Sequence, residues 1–590
     1  MKALSFDAEV IKAAALDLSL NDYVIQNIKI VNVFTGEILP GKIYVKNGYI
    51  SYVDYQNGSL PDRLQVIDGK GRYAVPGFID SHVHIESSML NPEHFSQVVV
   101  PFGTTTVACD PHELANVFGV EAFDYFINVS DDLPMRILVT LSSSVPSVEG
   151  LEHSGASIYA KDIAPFLSNP NAIGLGEVMD YEGILKGTKK TMDLIQATQK
   201  AGKYIQGHCP KLSGQKLAAY RLCGPESDHE SSSYEELTEK YRQGFYIDLR
   251  DSNTNKRLSM FAEKIKSWPN KDRFTLCSDD RRCNITLKEG HINAIIRKVI
   301  KAGVDPIDAI RMGTLNPARE LKLDRLGALA PGYLADIVFV DSLEEMSVSG
   351  VIHCGETVAE NGSLTWSGQA RSCDLEKVNM LRIPEIAKED FLLKSSDSFP
   401  DRAHVNVMEY ESYTSSFTSI VPQWLPVKSG YIDLSEEKDA MYAIVINRYG
   451  LPLKSIAVVK KFGITHGAVA SSVSHDSHNI VIVYDCADNA YLALRQLEKQ
   501  KGGMAAVEDG KVIASLPLPI GGLMSDRPAP EVAVQIEAMD EANRRLGNIY
   551  LANPTSRITI LSLLACPAVK LSDMGLIDVE KQRLIPLFAD

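Results

Sequence analysis

Between Ala74 and Asp280 the chain repeats one pattern: a short apolar run ending in polar, chemistry-bearing residues, then a stretch with helical spacing. The runs are AVPGFIDSHVHIE (74–86), TTTVACD (104–110), RILVTLSS (136–143), AIGLGEV (172–178), YIQGHCP (204–210), a weak one at SDHE (227–230), FYIDLRD (245–251) and RFTLCSDD (273–280). Helical spacing lies between and after them, as in EAFDYFINV (121–129), TMDLIQATQKAG (191–202), SYEELTEKYRQG (233–244) and GHINAIIRKVIKAG (290–303). Strands separated by helix-length crossovers pair in parallel. Eight such units over about 230 residues predict an α/β fold, a (β/α)8 TIM-like barrel. A doubly wound sheet is the competitor. It is disfavoured because the loaded residues sit at the carboxyl end of most runs, as the single active face of a barrel requires.

At 590 residues the chain exceeds one core. Before the barrel, β-rich runs between Tyr23 and Ile67 are broken by turn signals at Thr35-Gly36 and Asn47-Gly48, the latter a hairpin cue. Residues 4–18 have the spacing of a short amphipathic helix. After a helix ending near Leu321, β-signals return at 326–341 and 351–364 and are expected to rejoin the N-terminal sheet. The expected organisation is therefore residues 1–73 as the N-terminal part of a discontinuous small β-domain and 74–325 as the barrel. Residues 326–373 return to the small domain, and 374–590 form an additional C-terminal α+β domain.

Charge narrows the partners. Lys+Arg is 60 against Asp+Glu 75, a net charge of −15, which repels nucleic-acid phosphates and anionic membranes. No run approaches the roughly 20 apolar residues of a membrane span. Charges at Asp7, Glu9 and Lys12 do not suit a signal peptide. Nine cysteines without a CxxC argue against a disulfide framework or zinc finger, so a cytoplasmic location is expected.

The predicted strand ends gather ligand-type residues. The first carries His82 and His84, which two-residue periodicity puts on one face. The fourth carries Glu177, the fifth His208, the sixth His229 and Glu230, the eighth Asp279 and Asp280. Mixed imidazole and carboxylate donors suit Zn, Mn or Fe(II). Each has an ordinary structural alternative: a surface HxH pair, a turn histidine at His208, a helix cap at Asp279-Asp280. Coincidence at matching ends of eight strands outweighs these. In the loop after the second strand, Asp110 is expected to cap the next helix, leaving His112 and Glu113 as substrate contacts. Arg250 is expected to form a rim ion pair before any ligand contact.

VPGFIDSHVHIESS (75–88) and GALAPGYLADIVFVD (327–341) resemble the opening and closing signatures of the amidohydrolase superfamily of metal-dependent hydrolases. HVHIESSM (82–89), ACDPHELANVFG (108–119), GLGEVMD (174–180), GHCPKLSG (207–214), SDHES (227–231) and CSDDR (277–281) are similar to the adenine deaminase branch. So are SSVSHDSHNI (471–480) and GGMAAVEDGKV (502–512), which extend the resemblance through the C-terminal region.

The resemblance implies two divalent ions, Mn(II) or Fe(II) with Zn(II) as the alternative. His82, His84 and Asp279 would hold the more buried ion, Glu177 would bridge, and His208 and His229 would hold the second. A carbamylated lysine bridge is not expected, since Lys186 lies beyond its strand. The implied reaction is hydrolytic deamination of adenine, as in purine salvage, with Asp279, Glu177 and His229 catalytic. Asp279 would move the water proton, and the donor to N1 stays open among Glu177, Glu230 and Glu113. The implied substrate contacts are His112, Glu113, Glu230, Asp280, Arg250, His475 and His478. The loop bearing His475, Asp476 and His478 would act as a lid, from this chain or a neighbouring subunit of a homo-oligomer. The competing readings are an amidohydrolase acting on a cyclic amide or N-acyl group, and an inactive barrel scaffold. The filled ligand positions disfavour the scaffold. Adenosine is disfavoured as substrate because position 211 is Lys, where the adenosine deaminase pattern has glutamate.

Overall fold

The structure, a computed structural model, describes residues 5–589 except 57, 254–256, 369, 372, 397–400 and 567. The expected N-terminal helix spans Ala8–Leu16, capped by Asp7; residue 4 lies outside the described residues. Strand β1 (Tyr23–Asn32) pairs antiparallel with β2 (Glu37–Lys46). β2 turns through Asn47 and Gly48 into β3 (Tyr49–Asp54), the two-residue hairpin read from the sequence. Both turn residues have positive φ, 49° and 78°, as a type I′ turn demands.

β4 (Gln65–Pro76) lies parallel to β1 and runs straight up to the barrel. The expected first barrel strand, 74–86, is in fact divided at Gly77. Ala74–Pro76 complete β4, and β5 (Phe78–Val83) starts the barrel. The two sheets meet closely here: a Cβ at position 77 would lie 2.2 Å from Thr105 Oγ1, and the Gly77 N–H donates to Asp336 O at 2.9 Å. Ile85–Ser88 form a 3-10 turn rather than strand.

The barrel continues with β6 (Thr104–Cys109), β7 (Arg136–Leu141), β8 (Ala172–Val178), β9 (Tyr204–Gly207), β10 (Ser227–Asp228), β11 (Tyr246–Arg250) and β12 (Phe274–Cys277). Among the described residues β5 to β9 form one parallel sheet and β10 to β12 another. Two seams close the circle. Glu226 N–H donates to Ile205 O at 2.9 Å, and Asp279 N–H donates to His82 O at 3.0 Å. β10 is two residues long, shorter than the expected 227–230, because the chain there is held by side chains. Asp228 accepts Cys209 N–H (3.0 Å), Ser231 Oγ–H (2.9 Å) and the buried Lys240 ammonium (2.8 Å).

After the barrel, β13 (Ile337–Val340) pairs antiparallel with β4, followed by β14 (Val348–His353), β15 (Glu356–Glu360) and β16 (Ser363–Leu364). The resulting sheet runs β16-β15-β14-β13-β4-β1-β2-β3, built from both flanks of the barrel. The C-terminal region holds a second mixed sheet that includes β17 (Arg402–Tyr410), β18 (Thr418–Lys428), β19 (Tyr431–Ile432), β20 (Ala440–Ile446), β21 (Lys454–Lys460), β22 (Ala468–Ser471), β23 (Ile480–Tyr484), β24 (Gly503–Glu508) and β25 (Lys511–Pro517). The helix Ala487–Lys499 covers one face of it, burying Ala490, Leu494 and Leu497 in a cluster with Ile482 and Val507. The helix Ala529–Arg545 ties this region to the barrel, Asp540 meeting the Arg282 guanidinium at 3.4 Å. No helix among the described residues is long and apolar enough to cross a membrane.

Candidate metal centre and active site

Every barrel strand that carries a predicted ligand presents it at its carboxyl end. His82 and His84 straddle the end of β5, and their rings stand edge to face, 4.6 Å apart. Glu177 lies in β8; His208, His229 and Asp279 follow β9, β10 and β12. Asp279 adopts the left-handed conformation (φ 51°), which aspartate tolerates better than most residues. That turn places its carboxylate inward while its backbone closes the barrel seam.

The groups converge. His84 Nε2 lies 3.3 Å from Glu177 Oε1 and 3.4 Å from Asp279 Oδ1, and His82 Nε2 lies 3.4 Å from the same Asp279 oxygen. The other Glu177 oxygen, Oε2, faces His229 Nε2 at 3.1 Å and is in contact with His208 Nδ1. The two oxygens of Glu177 thus serve two different ligand sets.

The tautomers show that the set fits a cation. Gln206 Nε2 donates to Ser81 O (3.2 Å), so Gln206 Oε1 faces His82 Nδ1 at 3.0 Å and fixes the proton there. Burial, reinforced by His229, holds His82 below its ordinary pKa and therefore neutral. Its buried Nε2 has no hydrogen-bond partner and points a lone pair at a carboxylate oxygen. Two lone pairs in that relation need positive charge between them. His84 Nδ1 faces the carbonyl of Asp110 at 2.9 Å, so it too presents Nε2 to the carboxylates. Against the effect of burial, Asp279 and Glu177 hold this imidazole well above its usual pKa, the mark of a position that demands a cation. Burial also opposes ionised Glu177, but His208, His229 and His84 outweigh it and keep the carboxyl well below its usual range.

Arg250, at the end of β11, pairs with Asp279 Oδ2 and with both oxygens of Glu230, Nη2 to Oε2 being 3.0 Å. Asp279 is thereby left with Oδ1 facing inward. Asp280 does not cap the following helix and instead accepts the Ser87 hydroxyl. Asp110 departs from its expected capping role as well. Pro111 occupies the helix boundary, and the Asp110 carboxylate takes the Glu177 N–H (3.0 Å) and the Ser142 hydroxyl (2.7 Å). Gly176 permits this approach, since a Cβ there would lie 2.2 Å from Asp110 Oδ2. Gln206 was not singled out from the sequence because amides are not usual ligands. Its place two residues before His208 was the available signal.

The His475–His478 loop reaches the barrel from the same chain. Glu113, in the first turn of the helix His112–Phe118, contacts His475 Nδ1 through Oε1 and His478 Nε2 through Oε2. His112 connects this cluster to the metal-type ligands: Nε2 is 3.4 Å from Glu113 Oε1 and Nδ1 is 3.5 Å from Glu177 Oε1. Asp476 Oδ1 lies 3.8 Å from His112 Nε2. Of the seven predicted substrate contacts, Arg250, Glu230 and His112 touch the ligand cluster and Asp280 follows Asp279 in the chain, whereas Glu113 reaches it through His112, and His475 and His478 through Glu113 and His112.

Residues 73–358 match the amidohydrolase family, and residues 415–583 match the adenine deaminase C-terminal domain. Adenine deaminase 2 of Carboxydothermus hydrogenoformans is 36% identical over 573 residues, covering 96% of this chain and 97% of that protein. Adenine deaminase of Dehalococcoides mccartyi is 36% identical over 567 residues, covering 96% of each chain. That of Geobacillus kaustophilus is 36% identical over 579 residues, covering 98% of each.

Proposed function

This chain belongs to the adenine deaminase family of amidohydrolases, and from that premise we propose that it hydrolyses adenine to hypoxanthine and ammonia. The observation that carries the reading is likeness to adenine deaminases along the whole chain, C-terminal domain included. The family uses divalent metal, and the donor set fits it. We assign two ions: His82, His84 and Asp279 to one, His208 and His229 to the other, with Glu177 shared. Mn(II) or Fe(II) is the proposed metal. When bound, the ions supply the Lewis acidity that makes water nucleophilic near neutral pH.

The chain's own groups do the rest. Asp279, its carboxylate held by Arg250, takes the water proton and returns it to the departing amino nitrogen. Attack at C6 interrupts ring conjugation, so donors to the ring nitrogens lower the barrier. His229, pressed against Glu177, orients the substrate side of the site. Adenine and water give hypoxanthine and ammonia with no other reactant. A cytoplasmic homo-oligomer acting in purine salvage is the setting we propose.

The test is an ultraviolet assay of adenine conversion with protein loaded with Mn(II), Fe(II) or Zn(II). Hypoxanthine formation with at least one metal is expected. Fully loaded protein that spares adenine but opens a hydantoin or removes an N-acetyl group would transfer it to another amidohydrolase class.

A further inference from the structure

At the end of the barrel opposite the metal centre, side chains from three parts of the chain gather around one sulfur. Arg136 opens β7, Asp336 precedes β13, His353 ends β14, and Cys354 starts the turn that follows. Arg136 Nη1 donates to Asp336 Oδ2 at 3.0 Å, and Nη2 donates to Cys354 Sγ at 3.1 Å. His353 Nδ1 faces Asp336 Oδ1 at 3.1 Å, and its Nε2 faces Cys354 Sγ at 3.7 Å. Asp336 Oδ1 also accepts the Cys354 N–H at 2.7 Å. The donor atoms of Asp336, His353 and Cys354 lie close enough for a cation. A guanidinium offers only protons, however, so a metal would have to displace it from both the sulfur and the carboxylate.

The backbone adds an independent sign. Cys354 and Gly355 form the two-residue turn between β14 and β15, with φ 50° and 81°. Such a turn favours Asn, Asp or Gly at its first position, so cysteine stands there against local preference. Because Arg136 Nη2 can only donate, the sulfur accepts. Burial opposes charge on His353, but Cys354 and Asp336 outweigh it and raise the imidazole to about 9. Cys354 is half-buried, whereas His353 and Asp336 are buried. A partly exposed cysteine among fixed positive groups has the setting of a nucleophilic thiol.

We propose that Cys354 is a modification site, a nucleophilic cysteine that reacts with hydroperoxides while Arg136 and His353 hold and assist it. The thiolate sulfur attacks one peroxide oxygen: the S–O bond forms, the O–O bond breaks and the sulfur gives up two electrons. The departing hydroxide takes the proton of His353 Nε2 and leaves as water. The products are a sulfenic acid, a neutral imidazole and water. The Arg136 guanidinium stabilises the negative charge as it passes from sulfur to oxygen. Arg136 Nη1 also donates to Thr106 Oγ1 of β6 at 2.8 Å, so the cluster ties the small sheet to the barrel floor. Neither adenine nor a metal ion takes part, and the site stands apart from the deamination reading above.

The test treats reduced, Zn(II)-loaded protein, whose metal is redox-inert, with hydrogen peroxide and with dimedone, which traps sulfenic acid. Peptide mass spectrometry then reads adduct formation at each of the nine cysteines. Cys486 is the reference: it is exposed and lies beside Asp485, so exposure alone would put it first. Cys354 should form the adduct at least about tenfold faster than Cys486. His353→Gln and Arg136→Gln, with folding verified by far-ultraviolet dichroism, should each slow it by about tenfold or more. Cys354→Ser should abolish that adduct and no other. Labelling of wild-type Cys354 no faster than that of Cys486 would overturn the proposal, and so would wild-type rates in both folded variants. Should a variant fail to fold, the wild-type comparison decides alone.

Discussion

Glu177 can present one oxygen to each ligand set only if its own backbone is pinned, and Asp110 does the pinning through the Glu177 N–H. Replacing Asp110 by Asn would set an amide N–H₂ against that N–H, or turn the N–H₂ toward Ser142, whose hydroxyl would then have to accept instead of donate. We expect Asp110→Asn to lower kcat/KM by about 10–100-fold through metal affinity, read by steady-state kinetics beside metal analysis. Activity and metal content both unchanged would show that the contact is incidental. The residue scale is also where sequence reading parts from structure. Asp110-Pro111-His112-Glu113 satisfies a local capping pattern, but the carboxylate's partners come from β7 and β8, which no local pattern records. The convergence of His82, His84, Glu177, His208, His229 and Asp279 was legible because ligand-type residues recur at the strand ends.

Whole elements were legible in proportion to how much of their stability is local. The helices at 121–130 and 292–301 follow their apolar spacing, and the Asn47-Gly48 hairpin follows its turn chemistry. β10 sits at the other extreme, two residues kept in place by the buried Asp228–Lys240 pair. Lys240 holds Asp228 well below its usual pKa in spite of burial, so the carboxylate is charged and depends on that ammonium. Lys240→Met should therefore lower the local opening free energy by about 3–5 kcal/mol, measured by hydrogen exchange at Ile247–Leu249 in the neighbouring strand. His229 directly follows Asp228, so metal binding should weaken in the same variant. Exchange at wild-type rates would mean that backbone pairing alone holds this strand. The break at Gly77 was hidden for a related reason: 74–86 reads as one apolar run, and only the packing against Thr105 and Asp336 divides it.

At the scale of the molecule, the proposed ligands come from both arcs of the barrel, β5 to β9 and β10 to β12, so bound ions staple the two together. Removal of metal should lower stability as well as activity. With free ion about a thousandfold above its dissociation constant, binding contributes about 4 kcal/mol. A chelator should lower the thermal midpoint of the barrel transition and abolish turnover, and both should return on adding Mn(II) back. A midpoint indifferent to chelator would deny the staple. The small sheet has a consequence in time. Its β4 waits for β13, and the entire barrel is encoded between them. A ribosome adding about 5–20 residues per second leaves that edge unpaired for some tens of seconds. For that interval the nascent polypeptide carries an open strand, which makes translation speed and chaperone cover part of how this fold is reached.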